Sequence, residues 1–580
     1  MNAERLLAHY EKIADAPNAI GRLRRFILDL AVRGKLVPQD PKDEPASELL
    51  KRIAKEKARL VNAGEIKTFP APLNVTGEDQ PFDLPRDWRW VRLGDVLTKL
   101  TDGTHHSPPN GDSGDFKYIS AKNIKDEGVS LANVSYVEKT VHEEIYSRCN
   151  PEKGDILYIK DGATTGVVTV NDLDEPFSML SSVALLKLPS CIFNRLFVVF
   201  LRSPFFYEQM RGFMKGAAIP RVTLKRMAPA LIPLPPLAEQ HRIVAKVDEL
   251  MALCDRLEAA RAEREGARDR LAASSLARLN APDPETFQAD ASFVLKALPA
   301  LTTRPDQIKR LRQTILNLAV RGKLVPQDPK DEPSSELLES ISVKRRKLVT
   351  EGIVRPEKQL AVRSSTCLFE APHGWAWTNA NQLWDFENGD RSKNYPSKDQ
   401  LVPEGIPFIN AGHLEGGLVS MNDMNFVTSA KFKQLGGGKL RFGDQLYCLR
   451  GSLGKHAVYL HERDAAIASS LVILRPIEAQ IVSYLMKYLD SDIASMMLRR
   501  FDNGTAQPNL SAANLRLYEI PLPPLAEQHR IVAKVDELMA LCDQLEASLT
   551  DAAATSHRLL EALLVEALAP ADAREREVAA

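Results

Sequence analysis

Apolar residues recur along this chain at alternating intervals of four and three. Ile243, Val247, Leu250, Cys254 and Leu257 keep that spacing, and so do Ile531, Val535, Leu538, Cys542, Leu545 and Leu549. A repeat averaging about 3.5 residues puts these side chains on one helix face, as a seam that another helix can cover. IPLPPLAEQ precedes each stripe, so the chain runs extended through its prolines and turns helical just after them. From Glu239 to about Arg278 such a helix spans roughly 60 Å. The first stripe weakens past Leu257, where Arg261, Arg264 and Gly266 intervene. A second helical pattern, Ile20, Leu23, Ile27, Leu28 and Ala31, returns as Ile308, Leu311, Ile315, Leu316 and Ala319. Each time, RGKLVPQDPKDEP breaks it with glycine and prolines. Short helices restart beyond, with Ser47 and Ser335 as N-caps.

These patterns are copies of one another. Ile232 to Asp255 and Ile520 to Asp543 are the same 24 residues, offset by 288 positions. Leu30 to Pro45 recurs unchanged as Leu318 to Pro333 at the same offset. The chain is thus two 288-residue copies plus four residues, each with a fixed frame and a free insert.

The inserts, residues 84–231 and 370–519, read as strands in their middles. KYISAKNI, GDILYIK and GVVTV mark the first; IPFINAGHL, GDQLYCL and KHAVYL mark the second. Sparse matches align them: Trp88 and Trp90 with Trp375 and Trp377, Gly154-Asp155 with Gly443-Asp444, Gly162 with Gly451, Ser181 with Ser469, Gly216 with Gly504, and Pro220 with Pro508. Matches of this kind keep a backbone shape while the exposed chemistry changes. The five segments are therefore 1–83, 84–231, 232–369, 370–519 and 520–580. The helix beginning near Glu239 is followed directly by a partner segment, 305–345. The C-terminal helix has no sequel, so segment 17–57 is expected to supply its partner.

Composition bounds what such a chain can be. At 580 residues it should divide into several domains. Lysine plus arginine equal aspartate plus glutamate at 76 each, which argues against indiscriminate coating of nucleic acid. Six scattered cysteines without a CxxC pair read as buried free thiols in a reducing compartment. With no apolar leader and no long apolar run, a cytoplasmic protein without a membrane span is expected.

Tests for catalysis fail in turn. GSLGK (Gly451 to Lys455) is too short for a phosphate-binding loop and is followed by His456. His105 and His106 lack a third ligand at a suitable spacing. Asp155 and Lys160 on GDILYIK faintly resemble a nuclease strand, yet no acid stands two residues before the lysine. Neither an S-adenosylmethionine loop nor an adenine pocket is visible. Basic residues are the positive signal. Residues 187–226 carry Lys187, Arg195, Arg202, Arg211, Lys215, Arg221, Lys225 and Arg226 against one acid, Glu208. Such a stretch can track phosphates or can be a solvated helix face.

Order and duplication carry a resemblance. PLPPLAEQHRIVAKVDEL, twice and each time after a divergent segment, is similar to the specificity subunit of Type I restriction-modification enzymes. LAVRGKLVPQD, TDGTHHSP, GDILYIKDGATTG, and the GAAIP and GTAQP turns fit the same family. The resemblance implies an α+β fold: a tandem pseudo-repeat of two α/β target recognition domains separated by two long, antiparallel coiled-coil helical regions. It implies a DNA-binding subunit without catalysis of its own, each insert reading half of a bipartite asymmetric site. The partners it implies are double-stranded DNA, two methyltransferase subunits, and restriction/translocase subunits. No cofactor is expected on this chain; S-adenosylmethionine, ATP and Mg²⁺ belong to those partners. A protein-only scaffold and a fused DNA-modifying enzyme are the alternatives.

Candidate DNA contacts on this reading are Thr104, His105, Lys122, Asn123, Lys160, Thr164, Arg221 and Lys225 in the first insert. In the second they are Arg391, Lys393, Asn394, Tyr395, Asn410, His413, Arg450 and Lys455. The second insert departs at the TDGTH position, reading FENGDRSKN, so no histidine role carries over there. Subunit docking and the helix seam fall to Ile243, Val247, Leu250, Leu257, Ile531, Val535, Leu538 and Leu545.

Overall fold

The computed structural model describes residues 16–66, 75–213, 221–280, 285–356, 368–502 and 509–568. Two compact units divide the chain. One comprises residues 1–264 and 552–580, the other residues 265–551. The GAAIP and GTAQP turns, Lys215 and Cys367 lie outside the described residues.

In the first unit, Arg89–Arg92 pairs antiparallel with Leu231–Leu234 and closes the insert at its neck. A four-stranded sheet has the order Lys99–Asp102, Val183–Lys187, Ile156–Ile159, Val168–Val170. A three-stranded sheet sets Phe116–Ile119 between Ser135–Val137 and Ser178–Met179. Helices Asn194–Leu201 and Pro204–Phe213 complete the insert. Ile156–Ile159 is buried throughout because its two faces serve different cores. Ile156 and Tyr158 join a core with Trp88, Phe197 and the helical frame, whereas Leu157 and Ile159 join Ile119 and Phe177. Side chains that alternate across a strand make this division.

The second unit repeats the plan. Ala376–Asn379 pairs with Glu519–Leu522. Gln445–Cys448 is the doubly buried strand, sending Tyr447 to one core and Leu446 and Cys448 to another. Its main sheet has six strands, ending in the short hairpin Leu414–Glu415 and Leu418–Val419.

Leu237–Asn280 and Leu525–Leu568 are helices of 44 residues each. Their stripes are covered from within their own unit. Ile243, Val247 and Cys254 pack with Ile27, Leu28 and Ala31 of helix Ala19–Val32 and with Phe197 of the insert, Leu250 lying against the same core. Ile531, Val535 and Cys542 pack with Ile315, Leu316, Ala319 and Tyr484, with Leu538 and Leu545 beside them. This corrects one expectation: Ile243, Val247, Ile531 and Val535 are too buried to dock a partner and instead bind the frame to its reader. Leu257 is half-buried.

The far end of each helix finds the partner that the repeat predicts. Leu560, Leu563 and Leu564 cluster with Ala19, Phe26 and Leu30, and Arg22 bonds Glu561 and His557. In the second unit Leu276 and Leu279 cluster with Leu318, with Leu311 against them. Cys149, Cys254, Cys448 and Cys542 are buried free thiols, and Cys191 is half-buried. Among the described residues no helix is long and apolar enough to cross a membrane.

Candidate functional site

The β-register superposes the two inserts residue by residue. Asp102 and Tyr158 both stand opposite Ala184 in the first. In the second, Asn388 and Tyr447 both stand opposite Val472. Beyond the buried strand, the Lys160 N–H donates to the Ser182 carbonyl (2.9 Å) and the Leu449 N–H to the Ser470 carbonyl (2.8 Å). Lys160 and Leu449 then accept from the N–H groups of Val222 and Leu510, each at 3.0 Å. Asp161 bridges Arg221, and Arg450 bridges Asn509. Gly162 and Gly451 turn the chain at φ 96° and 82°, a region costly for a residue with a Cβ.

A glycine marks the same corner on the neighbouring strand. A Cβ on Gly103 would lie 1.8 Å from the Met179 carbonyl oxygen, and one on Gly389 would lie 2.6 Å from that of Ala468. Backbone approaches this close admit only glycine, and they fix where the next residues point. Those residues differ: Thr104, His105 and His106 in one insert, Asp390, Arg391 and Ser392 in the other.

Charges converge at the first corner. Asp102, its side chain 4% exposed, accepts from Arg148 on one oxygen, with His105 Nε2 3.2 Å away on the same side. Its other oxygen faces Lys160 Nζ at 3.4 Å, and Lys160 also reaches Asp161 at 3.0 Å. His105 Nε2 lies 3.0 Å from Arg148 Nη2. The second corner is built from backbone: Asp390 accepts from the Gly436 and Ser392 N–H groups at 2.7 Å each, and Arg391 donates to the Ser469 carbonyl at 3.4 Å. Those amides hold the Asp390 carboxyl below its usual range against the opposing pull of burial.

The family described as Type I restriction modification DNA specificity domain matches residues 85–264 and again 373–553. The chain is 30% identical over 586 residues to the Type I restriction enzyme EcoAI specificity subunit of Escherichia coli, covering 94% of this chain and 93% of that one. It is 31% identical to the EcoEI specificity subunit of the same organism, over 95% and 94% of the two chains. This chain belongs to the Type I restriction specificity subunit family. The crystal structure of an HsdS subunit from Thermoanaerobacter tengcongensis has 20% identity and a TM-score of 0.40, covering 84% of this chain and 98% of that one.

Within this specificity subunit the candidate contacts separate into surface and interior. His105, Lys122, Thr164, Arg221 and Lys225 are exposed in the first insert; Arg391, Lys393 and Arg450 are exposed in the second. Asn123 and His413 are corrected to turn-locking residues. Asn123 is fully buried and bonds the Ser120 N–H and the Ser130 carbonyl (3.1 Å each), so no base edge can reach it. His413 is 6% exposed, its ring accepting from the Asn410 N–H at 3.0 Å. Asn410 itself caps that turn through the Gly412 N–H (2.8 Å). Lys160 is an internal counterion, and Lys455 is half-buried with Nζ on the Ala411 carbonyl at 3.0 Å. Thr104 is 8% exposed, its hydroxyl donating to the His106 carbonyl at 3.1 Å. Asn394 and Tyr395 are half-buried, the tyrosine ring edge-on to Phe408 at 5.7 Å.

The basic stretch 187–226 is not a continuous phosphate track. Lys187 pairs with Asp155 (2.7 Å), Arg195 with Asp248 (3.0 Å), and Arg211 with Glu208 (3.8 Å), while Arg202 donates to the Val168 carbonyl. Most of these partners come from elsewhere in the sequence, where a local count of charges cannot see them. Asp155 and Lys160 are likewise not a nuclease pair, since each has its own partner. The Asp155–Lys187 pair returns as Asp444–Arg475 at 2.8 Å, so the GD acids are structural. Burial pushes both carboxyls up, opposed by the cations. Sequence reasoning missed Asp102 and Arg148 as functional candidates. Only the TDG motif hinted at the first, and nothing pointed to the second.

Proposed function

We propose that this chain is the non-catalytic DNA-reading subunit of a Type I restriction-modification complex, with each insert reading one half of a bipartite, asymmetric site. The observation that carries this reading is the pair of matched corners. One backbone, held in one register by glycines and shared hydrogen bonds, presents His105, Arg148 and Arg221 in one copy and Arg391, Arg450 and Asn509 in the other. A scaffold that bound only proteins would have no reason to diversify these corners while freezing its frame. Arginine, asparagine and histidine are donors suited to base edges in a major groove.

The long helices set the distance between the readers and dock two methyltransferase subunits. A helix of this length can bridge the ~34 Å between successive major-groove faces. The two identical frame segments meet within each unit, through Arg242–Asp43 at 2.6 Å and Arg530–Asp331 at 2.6 Å. Packing explains why their buried residues match. It does not explain why Ala238 and Ala245, which are exposed, match exposed Ala526 and Ala533. Two copies of one partner, each seated on one frame, would require that identity. The methyltransferase subunits then carry S-adenosylmethionine, and restriction/translocase subunits bring ATP and Mg²⁺.

Mapping methylated adenines genome-wide in cells with and without this gene tests the proposal. A two-part motif with a constant unread gap, lost on deletion, is the expected result. Methylation unaffected by deletion would overturn it.

A further inference from the structure

We propose that Arg148, aimed by Asp102 and flanked by His105, reads a guanine in the half-site recognised by the first insert. This rests on the DNA-reading function proposed above and names the base that one corner of it reads. The side chains of Arg148 and His105 are 51% and 62% exposed, whereas that of Asp102 is 4% exposed. A buried carboxylate thus holds the solvent-facing Arg148, with His105 beside it. Asp102 does not need Arg148 for neutralisation, because Lys160, 7% exposed, already faces its other oxygen. The guanidinium is planar, carries five N–H donors in a fixed fork, and loses little freedom once one edge is held. A fork held in this way presents its remaining donors to a pair of acceptors, and the O6 and N7 atoms of guanine are the commonest such pair in the major groove.

Charge argues against a phosphate as the ligand. Arg148 and Lys160 are each paired with a carboxylate, Asp102 or Asp161, whereas the exposed Arg221 beside Asp161 is the cation open to a phosphate. Phosphate contacts draw their free energy from net positive charge and counterion release. An arginine already paired with a buried carboxylate and held in orientation suits a base edge.

The second insert is an internal control. There Asn388 replaces Asp102 and Leu449 replaces Lys160, so the buried pair has left together, as a buried ion pair must. Where the first insert has the helix end that carries Arg148, the second has a loop after helix Ser429–Gln434, and a Cβ on Gly437 of that loop would lie 3.2 Å from the Asn388 carbonyl oxygen. The segment that approaches this strand position in the second insert carries no arginine there. His105 corresponds to Arg391. Acid, counterion, arginine and histidine have changed as a set on a shared strand register, which marks this set as a reader of sequence and the strands as its support.

The test uses the full chain assembled with its methyltransferase subunits. Binding is measured to DNA pools in which each half-site is randomised in turn, for the wild type, for Arg148→Ala, and for Asp102→Asn combined with Lys160→Leu. The double change reproduces the uncharged pair of the second insert, removing the Asp102 and Lys160 charges together and leaving Asp161, 16% exposed, to solvent. Wild-type protein should demand guanine at one position of the first half-site. Arg148→Ala, an exposed change, should reduce that preference about 5- to 150-fold, leaving other positions and the second half-site untouched. The double variant should lose preference at the same position while unfolding at a temperature close to wild type. Uniform weakening across all sequences by Arg148→Ala, or an unchanged guanine preference, would overturn the inference and leave the DNA-reading function standing. Wild-type protein with no preference in either pool would overturn both.

Discussion

Glu239 accepts the indole N–H of Trp88 on Oε2 at 2.9 Å, and Glu527 accepts that of Trp375 on Oε2 at the same distance. The tryptophan stands at the neck of a recognition domain and the glutamate in the first turn of a long helix. The other Glu239 oxygen takes Gln39 at 2.6 Å, so one carboxylate joins three segments of the first unit. Burial pushes both carboxyls up, and the indole bond opposes it. A carboxylate in a helix's first turn also meets the positive end of the helix dipole.

Glu239→Ala would strand the buried Trp88 donor. The expected cost is about 1–3 kcal/mol, read as a lower unfolding midpoint in denaturant with tryptophan fluorescence as the signal. Glu527→Ala should cost a similar amount, because its indole bond has the same length. A neutral outcome at both positions would mean that this bond does not couple reader to frame.

Arg221 is exposed beside the corner of the first insert. If it meets a phosphate, Arg221→Glu should weaken binding to every sequence alike. The slope of log K against log salt should shallow by about one. A change confined to one base position would instead make Arg221 a base reader.

Replacing residues 84–231 with the corresponding insert of another family member should change one half-site and leave the other. Methylation mapping of the chimera reads this directly. Changes in both half-sites would show that the inserts do not read independently.

Four residues inserted after Leu257, inside Leu237–Asn280, should lengthen that helix by about 6 Å and rotate its distal part by roughly 40°. The same half-sites should still be recognised, with the unread gap longer by about one or two base pairs at ~3.4 Å each. An unchanged gap would mean that the helix does not set the spacing.

The repeat was legible because identity over 24 residues needs no structure to detect. The helices were legible too, since an apolar stripe with proline before it and glycine or proline after its partner states both period and limits. Much of the candidate site was not. Asn123, Lys160 and His413 looked like readers because asparagine, lysine and histidine in loops are what readers are made of. Each turned out to serve the fold, holding a turn or a buried charge.

Sequence alone determined the two-copy architecture and the family, both of which rest on order along the chain. Tertiary structure decided which faces are available. It buried the stripe residues Ile243 and Ile531 inside their own units and gave Lys187, Arg195 and Arg202 partners elsewhere in the fold. It also brought Arg148 to Asp102 across 46 positions. The reason is physical. Periodicity and identity are properties of neighbouring residues, whereas exposure and ion pairing depend on which distant segments the backbone brings together, and no local pattern encodes that.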